Sequence, residues 1–386
     1  MTVLPGKTTV LPEKTTVLPE KTAEAPQRVV VIGTGLIGTS VALALREHGV
    51  AVWLADRNPQ SARMAAELGA GAELPAGGVP GGPADVAVLA VPPSAVAAEL
   101  RRAQDGGLAR CYTDVASVKE LPLAAARDLG CDLKSYVPGH PLSGRERSGP
   151  AAARADLFVG RPWVLCPHED SDETSILLVT RLARACGAQP VSVPAAEHDQ
   201  WVALVSHAPH LVAAAMAARL ERAPDGALAL AGQGLRDVTR IAASGAEMWL
   251  QILTANARPA SAVLRDVAAD LAGAAGALDD LAAGDEEAIK HLAGLLDRGI
   301  DGVGRIPGKH GGPARGFAPV QVVIPDRPGE LARLFQAAGE AGINIEDVSI
   351  EHSPGLPVGV AELWVRPDAV SPLCEALAAS GWPVSH

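Results

Sequence analysis

The sequence predicts an α/β chain with three structured parts. These are an N-terminal Rossmann-type doubly wound sheet, an all-helical domain and a C-terminal ferredoxin-like α+β domain. Three observations predict it. Short β-branched runs alternate with helical patterns from Arg28 to about Val193, the mark of a mainly parallel sheet. After about Ala195 the strand signal stops, and Ala/Leu-rich helical patterns continue to about Gly302. From Phe317 the order becomes strand, helix, strand, strand, helix, as in ferredoxin-like folds.

In chain order, residues 1–26 carry a seven-residue repeat, Thr-Val-Leu-Pro-Gly/Glu-Lys-Thr, with Pro5, Pro12 and Pro19 in successive units. Proline at that period breaks a helical ladder, so a disordered, extended tail is expected. Residues 27–194 form the first domain. Its strands are expected at Arg28–Ile32, Val50–Leu54, Asp85–Val91, Cys111–Thr113, Ser135–Val137, Trp163–Cys166 and Pro190–Val193. Residues 195–302 form the helical domain, whose first helix spans Glu197–Arg222. Residues 303–317, rich in Gly and Pro, read as a linker. Residues 318–386 hold strands at Val320–Ile324, Val348–Glu351 and Val360–Val365, with helices at Gly329–Ala341 and Ser371–Ser380.

The chain has 386 residues, enough for two or three domains; 48% of them are hydrophobic and 20% charged, which reads as globular. A net charge of −11 argues against a nucleic-acid surface and a basic membrane-docking face. An anionic substrate would then need individual Arg or Lys side chains in a cleft. No apolar run reaches the length of a membrane span, and the N-terminus lacks the plan of a signal peptide. The five cysteines are scattered without a CxxC pair and read as reduced thiols of a cytoplasmic protein.

Gly33, Gly35 and Gly38 follow the first strand and open a helix through Leu36 and Ile37. In that context GxGxxG reads as a dinucleotide fingerprint. The first glycine makes the tight turn, the second admits a pyrophosphate, and the third lets helix and strand approach. The helix N-terminus adds free amides. Asp56 ends the second strand, where a carboxylate binds ribose hydroxyls and repels a 2′-phosphate. NAD is therefore the expected cofactor, although Arg57 beside it would tolerate NADP. Val91, at the end of the third strand, completes the expected cofactor-binding set.

Five further segments carry chemistry. They are Thr113-Asp114-Val115-Ala116-Ser117-Val118-Lys119, Gly139-His140-Pro141-Leu142-Ser143-Gly144, His198-Asp199, Ser206-His207-Ala208-Pro209-His210, and Gly234 to Trp249 with Asp237 and Arg240 inside it. On the residues alone, His140 is as readily a turn histidine beside Pro141 as a base, and Ser117 a helix N-cap. Asp237 lies three residues before Arg240, on one helical face, and is expected to hold it; a surface ion pair is the alternative. His198-Asp199 reads as a structural hydrogen-bonded pair near the cleft, Trp249 as packing that shapes the pocket. A zinc pair at His207 and His210 is the rival to a role in orientation, and no third ligand has suitable spacing.

Taken together and in this order, these motifs resemble the prephenate/arogenate dehydrogenase family, over about Arg28 to Gly302. The resemblance implies oxidative decarboxylation of prephenate to 4-hydroxyphenylpyruvate, in tyrosine biosynthesis. It implies His140 as the neutral base that takes the hydroxyl proton, with Ser117 orienting it beside the nicotinamide. It also implies Arg240 as the carboxylate-binding guanidinium, and His210 as a residue that helps orient the active site. Three positions depart from the commoner family form: Ala116 for glycine, Gly245-Ala246 for Asp-Pro, and Arg145 for Thr or Ser. Arg145 bears on specificity. If it reaches the substrate side chain, it repels the ammonium of arogenate and favours prephenate. The short N-terminal segment leaves no room for a fused chorismate mutase.

The C-terminal segment Asp326-Arg327-Pro328-Gly329-Glu330-Leu331, with Gly342-Ile343-Asn344-Ile345, resembles an ACT regulatory domain. That resemblance implies a strand-to-helix turn, Asp326 to Glu330 with Pro328 and Gly329 inside it, that presents backbone amides to an amino-acid carboxylate, with Asn344 meeting its polar groups, such domains commonly pairing between chains, and tyrosine as effector. A dimerisation module without a ligand is the alternative. The family implies a homodimer through the helical domain. Competing readings are an arogenate or amino-deoxyprephenate dehydrogenase, a β-hydroxyacid dehydrogenase, which would leave the His140 and Arg240 motifs unexplained, and a non-catalytic NAD-binding sensor.

Overall fold

The computed structural model describes residues 16–17, 25–145, 147–307, 316–352 and 357–385. Two compact units divide at residues 268 and 269. The division falls inside one continuous helix rather than at the expected linker, whose residues 308–315 lie outside the described ones.

The first unit opens on a two-residue strand, β1 (Thr16–Val17), which pairs antiparallel with Val191 and Ser192. Part of the expected tail is thus ordered against the domain; most of the rest lies outside the described residues. There follow β2 (Arg28–Ile32), α1 (Leu36–Glu47), β3 (Ala51–Ala55), α2 (Pro59–Glu67), β4 (Ala72–Glu73), β5 (Ala84–Leu89), α3 (Val96–Asp105), β6 (Ala109–Asp114), α4 (Glu120–Asp128), β7 (Gly139–Pro141), β8 (Pro162–Leu165), α5 (Glu173–Ala185) and β9 (Gln189–Ser192). Strands β4-β3-β2-β5-β6 form a wholly parallel sheet in that order. Its Val- and Ala-rich strands are buried on both faces, as parallel strands require. Val29, Val31, Val52, Val86 and Val88 pack with α1 and α5 on one side; Val30, Ala87, Leu89 and Tyr112 pack with α3 and α4 on the other.

The expected single sheet is in fact two. A second sheet has the order β1-β9-β8-β7, with β7 antiparallel to β8. The strand expected at Ser135–Val137 is reduced to one bridge, Tyr112 to Tyr136, and the ladder forms later at Gly139–Pro141. The cause is local. A Cβ at Gly139 would lie 2.9 Å from the Asp114 carbonyl oxygen and 3.0 Å from Trp163 Nε1, so only glycine lets β7 approach the end of β6.

The helical region begins with α6 (Ala195–Val202), a π turn (Ala203–His207) and α7 (Ala208–Ala218). Pro209 has no N–H to donate to Val205, which explains the widened turn. Ala195–Arg222 is one helical run whose most apolar 18-residue window has a mean hydropathy of 1.4, long and apolar enough by length and composition to cross a membrane. That corrects the expectation that no run reaches such a length. The polar residues hidden in it, His198, Asp199, His207 and His210, are themselves buried in the protein. Then come α8 (Asp225–Leu228), α9 (Gln233–Thr239), a 3₁₀ turn (Arg240–Ala243), α10 (Ala246–Ala255) and α11 (Ala257–Ala282).

The second unit holds the end of α11, α12 (Ile289–Gly304) and the C-terminal domain: β10 (Ala318–Pro325), α13 (Glu330–Glu340), β11 (Asp347–His352), β12 (Val358–Val365), α14 (Val370–Ala379) and β13 (Val384–Ser385). The βαββαβ order and the antiparallel sheet β11-β12-β10-β13 are ferredoxin-like, as expected. Val320, Val322, Leu334, Leu363 and Leu377 form its core.

Candidate active site

The carboxyl ends of the parallel strands meet at one edge, where open α/β sheets bind ligands. Gly33 has φ +99°, and a Cβ there would lie 2.2 Å from the Ala90 carbonyl oxygen. A Cβ at Gly38 would lie 1.9 Å from the Gly33 oxygen. At Gly35, the N-cap of α1, an added Cβ meets nothing within 4 Å. Gly33 and Gly38 therefore serve the backbone's own packing, and Gly35 fronts open space beside the α1 amides, a cradle that fits a pyrophosphate. Leu36 and Ile37 begin α1 half-buried. Val91 follows β5 and packs on the β5–α3 core. Asp56 follows β3. Its carboxylate accepts hydrogen bonds from Thr34 N (2.7 Å), Thr34 Oγ1 (3.0 Å) and Asn58 N (2.8 Å), which pins it beside the turn. Arg57 is exposed.

At the same edge, β7 carries His140. The register that brings Gly139 against Asp114 is locked by Lys119, which is fully buried. Its ammonium donates to the Asp114 carboxylate and to the Gly139 carbonyl. Asp114 also accepts from Tyr136 Oη (2.7 Å) and Ala116 N (2.8 Å). Burial, then the neighbouring Asp114, holds the Tyr136 phenol well above its usual range, so it remains a donor.

His140 is half-buried. Its Nδ1 lies 2.9 Å from His198 Nε2, and His198 Nδ1 lies 2.7 Å from Asp199 Oδ1. Asp199, 1% exposed, accepts Lys119 N (2.8 Å) and Glu120 N (2.9 Å) at the start of α4. Asn256 donates to the Asp199 carbonyl (2.7 Å) and to His207 Nδ1 (3.0 Å). Burial, with His198 and Lys119 nearby, holds the His140 imidazole well below the usual histidine range, so it is neutral at physiological pH. Burial lowers His198 and draws His207 from 6.5 to about 4.

Two expectations change here. Ser117 does not cap α4; the remote Asp199 carboxylate does so. Nor, among the described residues, does Ser117 hydrogen-bond to His140, whose partner is His198. Ser117 stands half-buried in the loop that joins β6 to α4. His198-Asp199, read as a structural hydrogen-bonded pair near the cleft, is such a pair and also bonds His140. The adjacent His and Asp were the available signal; Lys119 and Asn256 gave none, because nothing local marks a lysine or asparagine as buried.

In the helical region, His210 stacks on Trp249, with ring centroids 3.7 Å apart and planes 8° apart, and bonds the Ile241 backbone. That contact fixes the 3₁₀ turn carrying Arg240, which is exposed. Asp237 does not hold Arg240: its carboxylate accepts from Gln233 Nε2 (2.9 Å) one turn earlier. Gln233, one turn earlier on the same face, takes the carboxylate, and α9 ends at Thr239 before Arg240. His207 and His210 have separate partners, Asn256 and Trp249. Arg145 is exposed and donates to the Ala152 carbonyl (3.1 Å) within its own loop.

In the C-terminal domain, Gly329 has φ +91° at the N-cap of α13, and the turn from Asp326 through Pro328 lies at the Pro325 end of the sheet. Asn344, bonded to Glu346 (2.6 Å), precedes the Asp347–Trp364 pair at the opposite end. Six strand residues separate the ends, roughly 20 Å. Within one chain these residues therefore cannot surround one amino acid; a shared ligand would need two domains paired.

Two family models match the chain: prephenate dehydrogenase, nucleotide-binding domain, over residues 41–192, and prephenate dehydrogenase, dimerization domain, over residues 194–293. A probable prephenate dehydrogenase, NovF, of Streptomyces niveus is 41% identical over 92% of this chain and 99% of its own length. The structure of prephenate dehydrogenase from A. aeolicus, in complex with hydroxyphenyl propionate and NAD+, superposes with a TM-score of 0.61 at 27% identity, covering 73% of this chain and 99% of that one. Synechocystis arogenate dehydrogenase gives 0.58 at 26% identity, over 72% and 100%.

Proposed function

The chain belongs to the prephenate dehydrogenase family, and from that premise we propose that it oxidises and decarboxylates prephenate to 4-hydroxyphenylpyruvate with NAD. The observation that carries this reading is His140: neutral, held by one ring nitrogen, and set at the sheet edge that bears the glycine cradle. Bound NAD supplies the hydride acceptor. His140 takes the proton of the ring hydroxyl as hydride leaves the carbon bearing it. The bond to the ring carboxylate then breaks, its electron pair enters the ring, carbon dioxide departs, and His140 returns the proton to the phenol oxygen. Ser117, which matches the family's serine, is assigned to bond the same hydroxyl beside the nicotinamide. Arg240 takes a substrate carboxylate as a bidentate partner, with His210 and Trp249 fixing its turn. Asp56 favours NAD over a 2′-phosphorylated dinucleotide.

Arogenate is the second reading, supported by the similar match to the Synechocystis enzyme. NADH formation with each substrate separates them. Prephenate turnover with a kcat/KM at least tenfold above arogenate is expected, and Arg145→Ala should narrow that ratio; NADH from neither substrate would overturn the reading. A homodimer through the helical region and a tyrosine effector between paired C-terminal domains complete it. Exposed Leu228, Leu230, Met248 and Leu250 are the surface a second copy would cover.

A further inference from the structure

We propose that His198 and Asp199 are positioning residues of this reaction, which fix the tautomer of His140 so that its Nε2 is the bare, proton-accepting nitrogen. The inference rests on the proposed role of His140. The N–H groups of Lys119 and Glu120 can only donate, and both point at the Asp199 carboxylate, one to each oxygen. A carboxylate so held is an acceptor toward its third neighbour, and the proton of that 2.7 Å contact sits on His198 Nδ1. A neutral imidazole carries one proton, so His198 Nε2 is a lone pair. The 2.9 Å contact to His140 Nδ1 then requires His140 to donate. His140 in turn has its single proton on Nδ1, and its Nε2 is free to accept.

The same carboxylate ties two parts of the site together. By capping α4 it sets where the Ser117 loop ends, and through His198 it sets the ring of His140. The Asp199 carbonyl is itself anchored by Asn256, which is buried. When Nε2 accepts the substrate proton, the resulting imidazolium donates to His198 without any group having to turn. Proton and charge are balanced by the hydroxyl that lost the proton, and Asp199 remains a carboxylate throughout.

Asp199→Asn is the discriminating substitution. Oδ1 accepts both Lys119 N and His198 Nδ1, so the amide acts in the orientation that puts its oxygen on Glu120 N and its NH₂ in the place of Oδ1, where it donates to His198 Nδ1. That moves the His198 proton to Nε2 and the His140 proton to Nε2, closing the base. The expected result in the full-length enzyme is a kcat lower by about 10²- to 10⁴-fold, the loss seen when an amide replaces a tautomer-fixing carboxylate. KM for prephenate and affinity for NAD should change by less than about threefold, because no binding group moves. Imidazole ¹⁵N spectra give an independent readout. The His140 signal, assigned by its absence in His140→Gln, should show a protonated Nδ1 in the wild type and a protonated Nε2 in Asp199→Asn. A kcat within threefold of wild type, or a loss confined to KM, overturns the proposal. So does a wild-type His140 protonated at Nε2, which decides the matter even where the variant does not fold. The predicted tautomer in a protein that turns over neither substrate would instead sink the proposed function and leave the tautomer assignment standing.

Discussion

His207 shows how far the site's chemistry is set by what is packed around single side chains. It is 1% exposed, accepts from Asn256 at Nδ1, and burial draws it from 6.5 to about 4. In the unfolded chain it takes up a proton near pH 6.5; in the folded protein not until about 4. Between those values the unfolded state binds more protons, so stability rises with pH and is lost on acidification. The shift corresponds to at most about 3 kcal/mol for this group, with His140 adding in the same direction. Urea denaturation should therefore give a stability that is flat between about pH 7 and 8 and falls from pH 6.5 to 4, and His207→Gln, which keeps an acceptor for Asn256, should flatten part of that slope. A slope unchanged in the variant would assign the loss elsewhere. At this scale the sequence pointed to His140 and Arg240 through the motifs that carry them. It was not readable for partners that meet only through the fold: His198 lies 58 positions from His140, and neither local window contains the other.

Among the elements, the turn between β2 and α1 makes the sharpest prediction, because its three glycines answer to different constraints. Gly33→Ala would force a Cβ to within 2.2 Å of a carbonyl oxygen at a positive φ, so it should cost about 1–3 kcal/mol or more of stability together with cofactor binding. Gly35→Ala meets open space, and should leave the melting temperature within about 2 °C while NAD affinity falls at least tenfold, since the methyl group fills the volume a pyrophosphate needs. Calorimetric melting and NAD titration of both variants check the contrast; equal destabilisation by the two would refute the division of roles. The strands and helices bearing these positions were legible because β-branched runs and helical periodicity are local signals. The two-residue β4 and β13 escaped notice for want of length. The splitting of one expected sheet into two escaped because strand pairing is decided by tertiary approach, here by the Gly139–Asp114 contact. The i, i+3 argument for Asp237 failed because spacing names a shared face but not which neighbour on it takes the carboxylate, and Gln233 takes it.

Over the whole molecule, chemistry and accessory architecture fall in different stretches of chain. The glycine cradle, Asp56, Ser117, Lys119, His140, His198, Asp199, His210, Arg240, Trp249 and Asn256 all precede residue 269, where the second compact unit begins. The C-terminal domain has its own core of Val320, Val322, Leu334, Leu363 and Leu377, and a complete βαββαβ order. A chain ending at residue 307 therefore retains every group proposed for the reaction, and residues 318–386 retain every group their own fold uses. The prediction is that the shortened enzyme reduces NAD with kcat within about threefold of the full chain, a difference below 1 kcal/mol in barrier height. Any response of the full chain to tyrosine should vanish in it. The opposite ends of the sheet occupied by the Asp326–Gly329 turn and by Asn344 make a stricter claim possible. If tyrosine binds at those residues at all, it binds between two domains, and a monomeric preparation of residues 318–386 should show no tyrosine binding by calorimetry while a dimeric one does. Saturable binding to the monomer would show that one chain suffices, and the residues responsible would then have to lie elsewhere in that domain.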